Sequence, residues 1–139
     1  MSYTASLALQ GAVYQALRDN APLASLIGDA VYDAMPVAAP GGVYVSLGPE
    51  DVRDAGDATA GGSRHDFVIS VLSGTDGANG FAEVKATAAA VAEALEGVSL
   101  TLDRGRLVGL WFQRATARRV ENGAGRRIDL TFRARIDLG

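Results

Sequence analysis

Apolar positions along the chain change period several times, and each change marks an element. Between residues 4 and 18, Ala5, Leu9, Ala12, Val13, Ala16 and Leu17 recur at three- and four-residue spacing, while Gln10, Tyr14 and Arg18 fall elsewhere on the wheel. That is one face of an amphipathic helix. The stretch "DNAP" (19–22) ends it, because a residue before proline disfavours helical backbone. "LASLIG" (23–28) reads as one short helical turn stopped by Gly28. "AVYDAMP" (30–36) is a short strand ended by Pro36, and "VAAPGG" (37–42) is turn chemistry. "VYVSLG" (43–48) alternates, with Val43, Val45 and Leu47 on one face. The polar segment 49–64 buries almost nothing and reads as a mobile acidic loop or an extended hairpin arm.

"HDFVISVLS" (65–73) is a strand with Phe67, Ile69 and Val71 on one face. "GTDGANG" (74–80) turns into a helix over 80–96, whose Phe81, Val84, Ala88, Val91 and Leu95 form a partly small apolar stripe. Residues 106–121 and 125–138 flank "NGAG", a hairpin signal. The last strand alternates strictly: Ile128, Leu130, Phe132, Ala134, Ile136 and Leu138 point one way, and Arg127, Asp129, Thr131, Arg133, Arg135 and Asp137 the other. A sheet with one wet face produces this pattern. Val108, Leu110 and Phe112 continue its apolar face, and beyond Gln113 the hairpin is polar on both sides and projects from the body. The order of elements predicts a single two-layer α+β domain over 1–139. It has a mainly antiparallel sheet of four to five strands and two helices packed on one face.

Composition narrows the class. The 139 residues are 48% hydrophobic and 21% charged, as in a soluble globular chain. Alanine and glycine supply much of the apolar share, so the core is thin. There is no cysteine, which excludes disulfides and thiolate chemistry. The N-terminus has no charged residue before Arg18 and reads as a helix rather than a signal peptide. No stretch is apolar enough to span a membrane.

Candidate chemistry is sparse. His65 is the only histidine, and its neighbour Asp66 points to the opposite strand face. A strand-end histidine with no positioned nucleophile or metal is the plainer reading. "GTDGANG" lacks the Gly-Lys-Ser/Thr end of a phosphate loop and the repeated acids of a calcium loop. The acidic cluster Glu50, Asp51, Asp54 and Asp57 reads as solvated charge rather than a cation site. No catalytic, cofactor-binding or metal-binding set emerges.

Charge is the informative signal. Residues 1–103 carry four basic residues against thirteen acidic ones, whereas residues 104–139 carry nine arginines against Glu121, Asp129 and Asp137. A net −3 chain split this way presents two unlike surfaces, which suits head-to-tail association of identical subunits. Trp111, if Phe112 faces the helices, lies on the outer face with Gln113 as an interface anchor; burial by a neighbouring loop is the other reading. Arg114, Arg118, Arg119, Arg127, Arg133 and Arg135 stand with it as candidates for an intersubunit or tube contact. Aspartates alternate with the arginines, and arginine's planar fork suits carboxylate pairing. A solvated ion-pair face and a nucleic-acid surface are the alternatives.

Taken in order, "SLALQGAVYQALRDNAPLASLIGDAVYDAMP", "YVSLGPEDVRD", "FVISVLSG", "GFAEVKATAAAVAEAL" and "GRLVGLWFQRATARRVENGAGRRIDLTFRARI" resemble the tail-completion, or tail-terminator, proteins of long-tailed phages, and in particular the versions in phage-like gene transfer agents of alphaproteobacteria. The resemblance implies a subunit of a homo-oligomeric six-fold ring. That ring would halt tail-tube polymerisation and offer a surface to the head-tail connector protein. It implies no catalytic residue and no cofactor, with DNA met only in transit through the channel. Assembly would take place in the bacterial cytoplasm. The acidic segment with Glu50, Asp51, Asp54 and Asp57 would line the channel or meet a partner. Another connector or tube protein of the same particle, or a nucleic-acid-binding module, are the competing readings.

Overall fold

In the computed structural model, which describes residues 2–75, 81–120 and 125–139, the chain opens with a 3-10 turn, Ser2–Ala5. It continues directly into α1, Ser6–Asp19. Leu9, Val13 and Leu17 are buried at four-residue spacing, which is the stripe that the sequence predicts. Asn20 separates α1 from α2 (Ala21–Ile27): its extended backbone stops one helix, and its side chain accepts the Leu23 N–H at 2.9 Å to cap the next. Pro22 sits in the first turn of α2, where a missing N–H costs nothing. The predicted single turn is therefore a true short helix, so there are three α-helices among the described residues, not two. Gly28 closes α2 at φ 63°, backbone that a side chain would strain.

Five strands follow: β1 (Val31–Tyr32), β2 (Tyr44–Asp54), β3 (Gly62–Leu72), and, after α3 (Phe81–Leu95), β4 (Arg106–Val120) and β5 (Gly125–Asp137). Their order across the sheet is β1-β2-β3-β5-β4. All neighbours are antiparallel except β1 and β2, which makes the sheet mixed. The strand predicted at 30–36 shrinks to two residues because only Val31 and Tyr32 find partners, in Val45 and Ser46.

Segment 49–64 is not one loop. Pro49–Asp54 extends β2 and Gly62–Arg64 begins β3, so the extended-hairpin alternative is the observed one. Cross-strand pairing, not burial, holds these polar residues as strand: Asp51 stands opposite Asp66, Arg53 opposite Arg64, and Asp54 opposite Ser63. Of the "NGAG" turn, residues 122–124 lie outside the described residues, as do residues 76–80 of "GTDGANG".

One side of the sheet carries the core. Phe67, Ile69 and Val71 of β3 and Ile128, Leu130, Phe132, Ala134 and Ile136 of β5 pack with Leu9, Val13 and Leu17 of α1 and Val84, Ala88, Val91 and Leu95 of α3. Phe132 is central, with ring centroids 5.8 Å from Phe67 and 5.9 Å from Phe112. Burying such a ring contributes roughly 1.5–3 kcal/mol through the apolar area removed from water.

Three register breaks bend the strands and reset which way side chains point. In β4, Leu107 pairs with Ile136 and Gly109 with Arg135, so Val108 is the extra residue of a bulge. A second extra residue is Gln113, between Phe112↔Phe132 and Arg114↔Thr131. A third break falls between Leu47 and Glu50 in β2. Val108 therefore does not continue the apolar face; Leu107 takes that place, and Val108 is exposed.

Candidate interaction surface

Because Ile128, Leu130, Phe132, Ala134 and Ile136 are buried, the odd-numbered residues of β5 occupy the sheet's other face. Pairing carries that face across its neighbours: Trp111 lies opposite Arg133, Arg114 opposite Thr131, Thr116 opposite Asp129, and Arg118 opposite Arg127. Trp111, Arg114, Arg118, Arg127, Arg133 and Arg135 therefore share one surface. Arg119 does not join them. It stands opposite Arg126 on the helix side, where Arg126 lies over the Phe81 ring at 5.4 Å. The bulge at Gln113 puts Arg114 and Arg118 on the outer face.

The outer arginines are organised by two aspartates. Asp66 receives Arg133 in a forked contact, Nε at 2.8 Å and Nη2 at 3.3 Å, with Arg64 3.7 Å away. The Arg133 hydrogen bond holds the Asp66 carboxyl below the usual carboxylate range, against the opposing effect of burial. Asp129 accepts Ser70 Oγ at 2.7 Å and Arg127 Nε at 2.9 Å, with Arg118 at 3.6 Å. Burial alone would raise the Asp129 pKa; the Ser70 and Arg127 hydrogen bonds more than offset it, and the net shift is downward. Two like-charged register pairs, Arg64↔Arg135 and Arg118↔Arg127, sit beside these carboxylates. Asp137 pairs with Arg106 rather than Arg135, and Arg135 donates to the Ala55 carbonyl at 3.1 Å, tying the β2–β3 turn to the sheet. Arg114 and Arg119 have no ion-pair partner among the described residues.

Trp111 is 44% exposed. Its six-membered ring lies over Gly109, where an added Cβ would fall 2.3 Å from a ring carbon. The missing side chain lets the indole lie back along its own strand. Sequence alternation found the face but not this contact, in which the indole folds back over the residue two positions earlier.

The four acidic candidates separate. Glu50 is held by the Tyr3 hydroxyl at 3.0 Å and by Ser6 Oγ, so it anchors the N-terminal turn. Asp51 is exposed and pairs with Arg53 at 3.1 Å. Asp54 is exposed at the end of β2. Asp57 builds the turn, accepting the Thr59 and Ala60 N–H groups, and these bonds lower its pKa. No three acids or histidines gather as a metal site among the described residues.

His65 is not at the surface. It points into the core from β3, fully buried, with Nε2 2.8 Å from Ser63 Oγ and Nδ1 3.7 Å from Glu50 Oε2. Serine, histidine and glutamate thus stand in the order of a hydrolytic triad. Ser63 and His65 are both 0% exposed, and at 3.7 Å the Glu50 carboxylate is beyond hydrogen-bond reach of Nδ1, so the array is a buried Ser63–His65 hydrogen bond with Glu50 packed beside it. The two-residue spacing of Ser63 and His65, which puts both on one strand face, was the available sequence signal.

The profile of the family described as tail completion protein gp17 matches residues 11–137. The chain belongs to this tail completion family. Among solved structures, a chain from "Virion of native gene transfer agent (GTA) particle" is 62% identical, with a TM-score of 0.90 over 98% of this chain and 99% of that one. Curated protein sequences give no match. The tail completion family and a full-length virion relative make this a structural, virion-type tail protein. Among the described residues no helix is long and apolar enough to cross a membrane.

Proposed function

We propose that this tail completion protein forms a closed homo-oligomeric ring, a hexamer, that terminates the tail tube and joins it to the head-tail connector. The observation that carries the reading is the end-to-end similarity to a chain of a gene transfer agent virion. The ring is supported by charge: a heterologous interface needs two unlike, complementary patches on each subunit. Here the basic patch is the β4–β5 hairpin and the acidic one includes Asp51 and Asp54 on β2. In this reading the whole chain acts as one domain and works without catalysis or cofactor. It meets tube and connector proteins as partners, and DNA only in transit. Assembly takes place in the bacterial cytoplasm. Carboxylates already hold Arg118, Arg127 and Arg133, which weakens the nucleic-acid alternative.

Pairing within the subunit also selects the probe. Arg133 and Arg135 hold β3, β5 and the β2–β3 turn together, so reversing their charge disturbs the fold. Arg114 and Arg119 have no ion-pair partner among the described residues. Arg114→Glu with Arg119→Glu leaves circular dichroism unchanged and yields tails that lack this chain and fail to join heads. Tails carrying the double variant at normal occupancy, with heads attached, contradict the reading.

A further inference from the structure

Among the described residues the sheet has two open edges, and they differ in charge. On one side β4 is the last strand. Its upper part is closed where Gly97 N–H donates to the Leu110 carbonyl at 3.2 Å. Below that, Gln113–Arg119 is exposed on both faces and, among the described residues, pairs only with β5. This stretch, "QRATARRV" to Val120, holds three arginines and no acid. On the other side β1 covers only Val45 and Ser46. Beyond them β2 runs as "LGPEDVRD" with no strand beside it among the described residues, and it holds three acids against Arg53. Pro49 donates no N–H and the register breaks between Leu47 and Glu50, so the part of this edge able to pair is Glu50–Asp54.

We infer that neighbouring copies join by strand addition, the open edge of β4 from Gln113 to Val120 pairing antiparallel with the open edge of β2 from Glu50 to Asp54 in the next copy. The inference rests on the ring reading above and gives that ring its contact. Direction allows it. From β2 to β3, β5 and β4 each strand reverses, so β4 runs opposite to β2. A second copy in the same orientation therefore places its β2 antiparallel to β4 without inverting the subunit. Charge selects it. Arginines on an exposed edge deter pairing with neutral or basic strands, while an acidic edge is the matched partner. Position favours closure. The free half of β4 lies at the Tyr44 end of the sheet, because Arg118 reaches Leu72 through Arg127 and Leu72 pairs with Tyr44. The free half of β2 lies at the opposite end. Joining them staggers successive copies along the strands, and strands must tilt and stagger for a row to close on itself.

The chain has no cysteine, so an introduced pair is unambiguous. Thr116 and Asp51 both face the outer side of the sheet, as does Arg53, two residues along. Particles are made with Thr116→Cys/Asp51→Cys or, for the alternative register, Thr116→Cys/Arg53→Cys, then oxidised and run without reductant. A disulfide forms only where the Cα atoms come within about 7 Å. The expected result for one of the two variants is a ladder of covalent oligomers of this chain alone, absent from each single-cysteine control. Intact rings at the tail end with no ladder from either variant overturn the strand-addition contact and leave the ring standing. Crosslinks to the tube protein instead of to itself also overturn it. Particles with no ring at all remove the underlying reading as well.

Discussion

At the scale of single residues, the outer face is set by which groups meet, and meeting depends on register. Strict alternation in β5 was enough to place Arg127, Arg133 and Arg135 outside. It could not place Val108, Gln113 or Arg119, because each bulge in β4 inserts a residue and flips every side chain beyond it. Nor could it pair Arg133 with Asp66, which lie 67 residues apart and meet only once β3 and β5 are in register. Trp111 tests this description locally. Gly109→Ala puts a methyl where the indole ring now lies, and the ring is the part free to move. The lone tryptophan reports it without interference. The variant is expected to keep its urea midpoint while its tryptophan emission shifts to longer wavelength as the ring swings into solvent. An unchanged spectrum would mean that the indole does not rest on Gly109.

At the scale of elements, helices were the more legible part. The Leu9–Val13–Leu17 and Val84–Ala88–Val91–Leu95 stripes give period and extent almost directly, since each buried position repeats locally. The β2–β3 hairpin was less legible because its outer half has little apolar alternation: partner strands, not side-chain burial, make it extended. His65 is buried in that hairpin beside Glu50, which holds the N-terminal turn, and it gives the chain a pH dependence with a definite sign. Burial holds the His65 imidazole below its ordinary value of 6.5, against the opposing pull of Glu50 and Asp66. As pH falls through about 6.5 the unfolded chain binds a proton that the folded chain refuses, so stability present above that pH is progressively lost toward the lower folded pKa. His65 is the only histidine, so this window belongs to it. The urea midpoint should drop between about pH 7.5 and 5.5, and His65→Gln, though less stable at neutral pH, should show a flatter profile over that interval. A wild-type midpoint that is level or rises toward pH 5.5 would contradict a neutral buried imidazole.

At the scale of the whole molecule, the uneven charge visible in the sequence becomes a sheet with one basic and one acidic open edge. Carboxylates within the subunit neutralise much of the arginine surface, while Arg114 and Arg119 are among the arginines with no ion pair among the described residues. The fold class and family were legible because order and period of elements survive in a single sequence. The ion-pair network and the unequal edges were not, because both are products of strand order. A tube protein with two complementary surfaces would add layer upon layer, whereas a terminator contributes one layer and stops. Electron microscopy of tail tubes assembled in the presence of this chain separates the two. A terminator gives a single closed ring of it at one end of each tube. Its repeated incorporation along the tube, or its absence from both ends, would contradict the account.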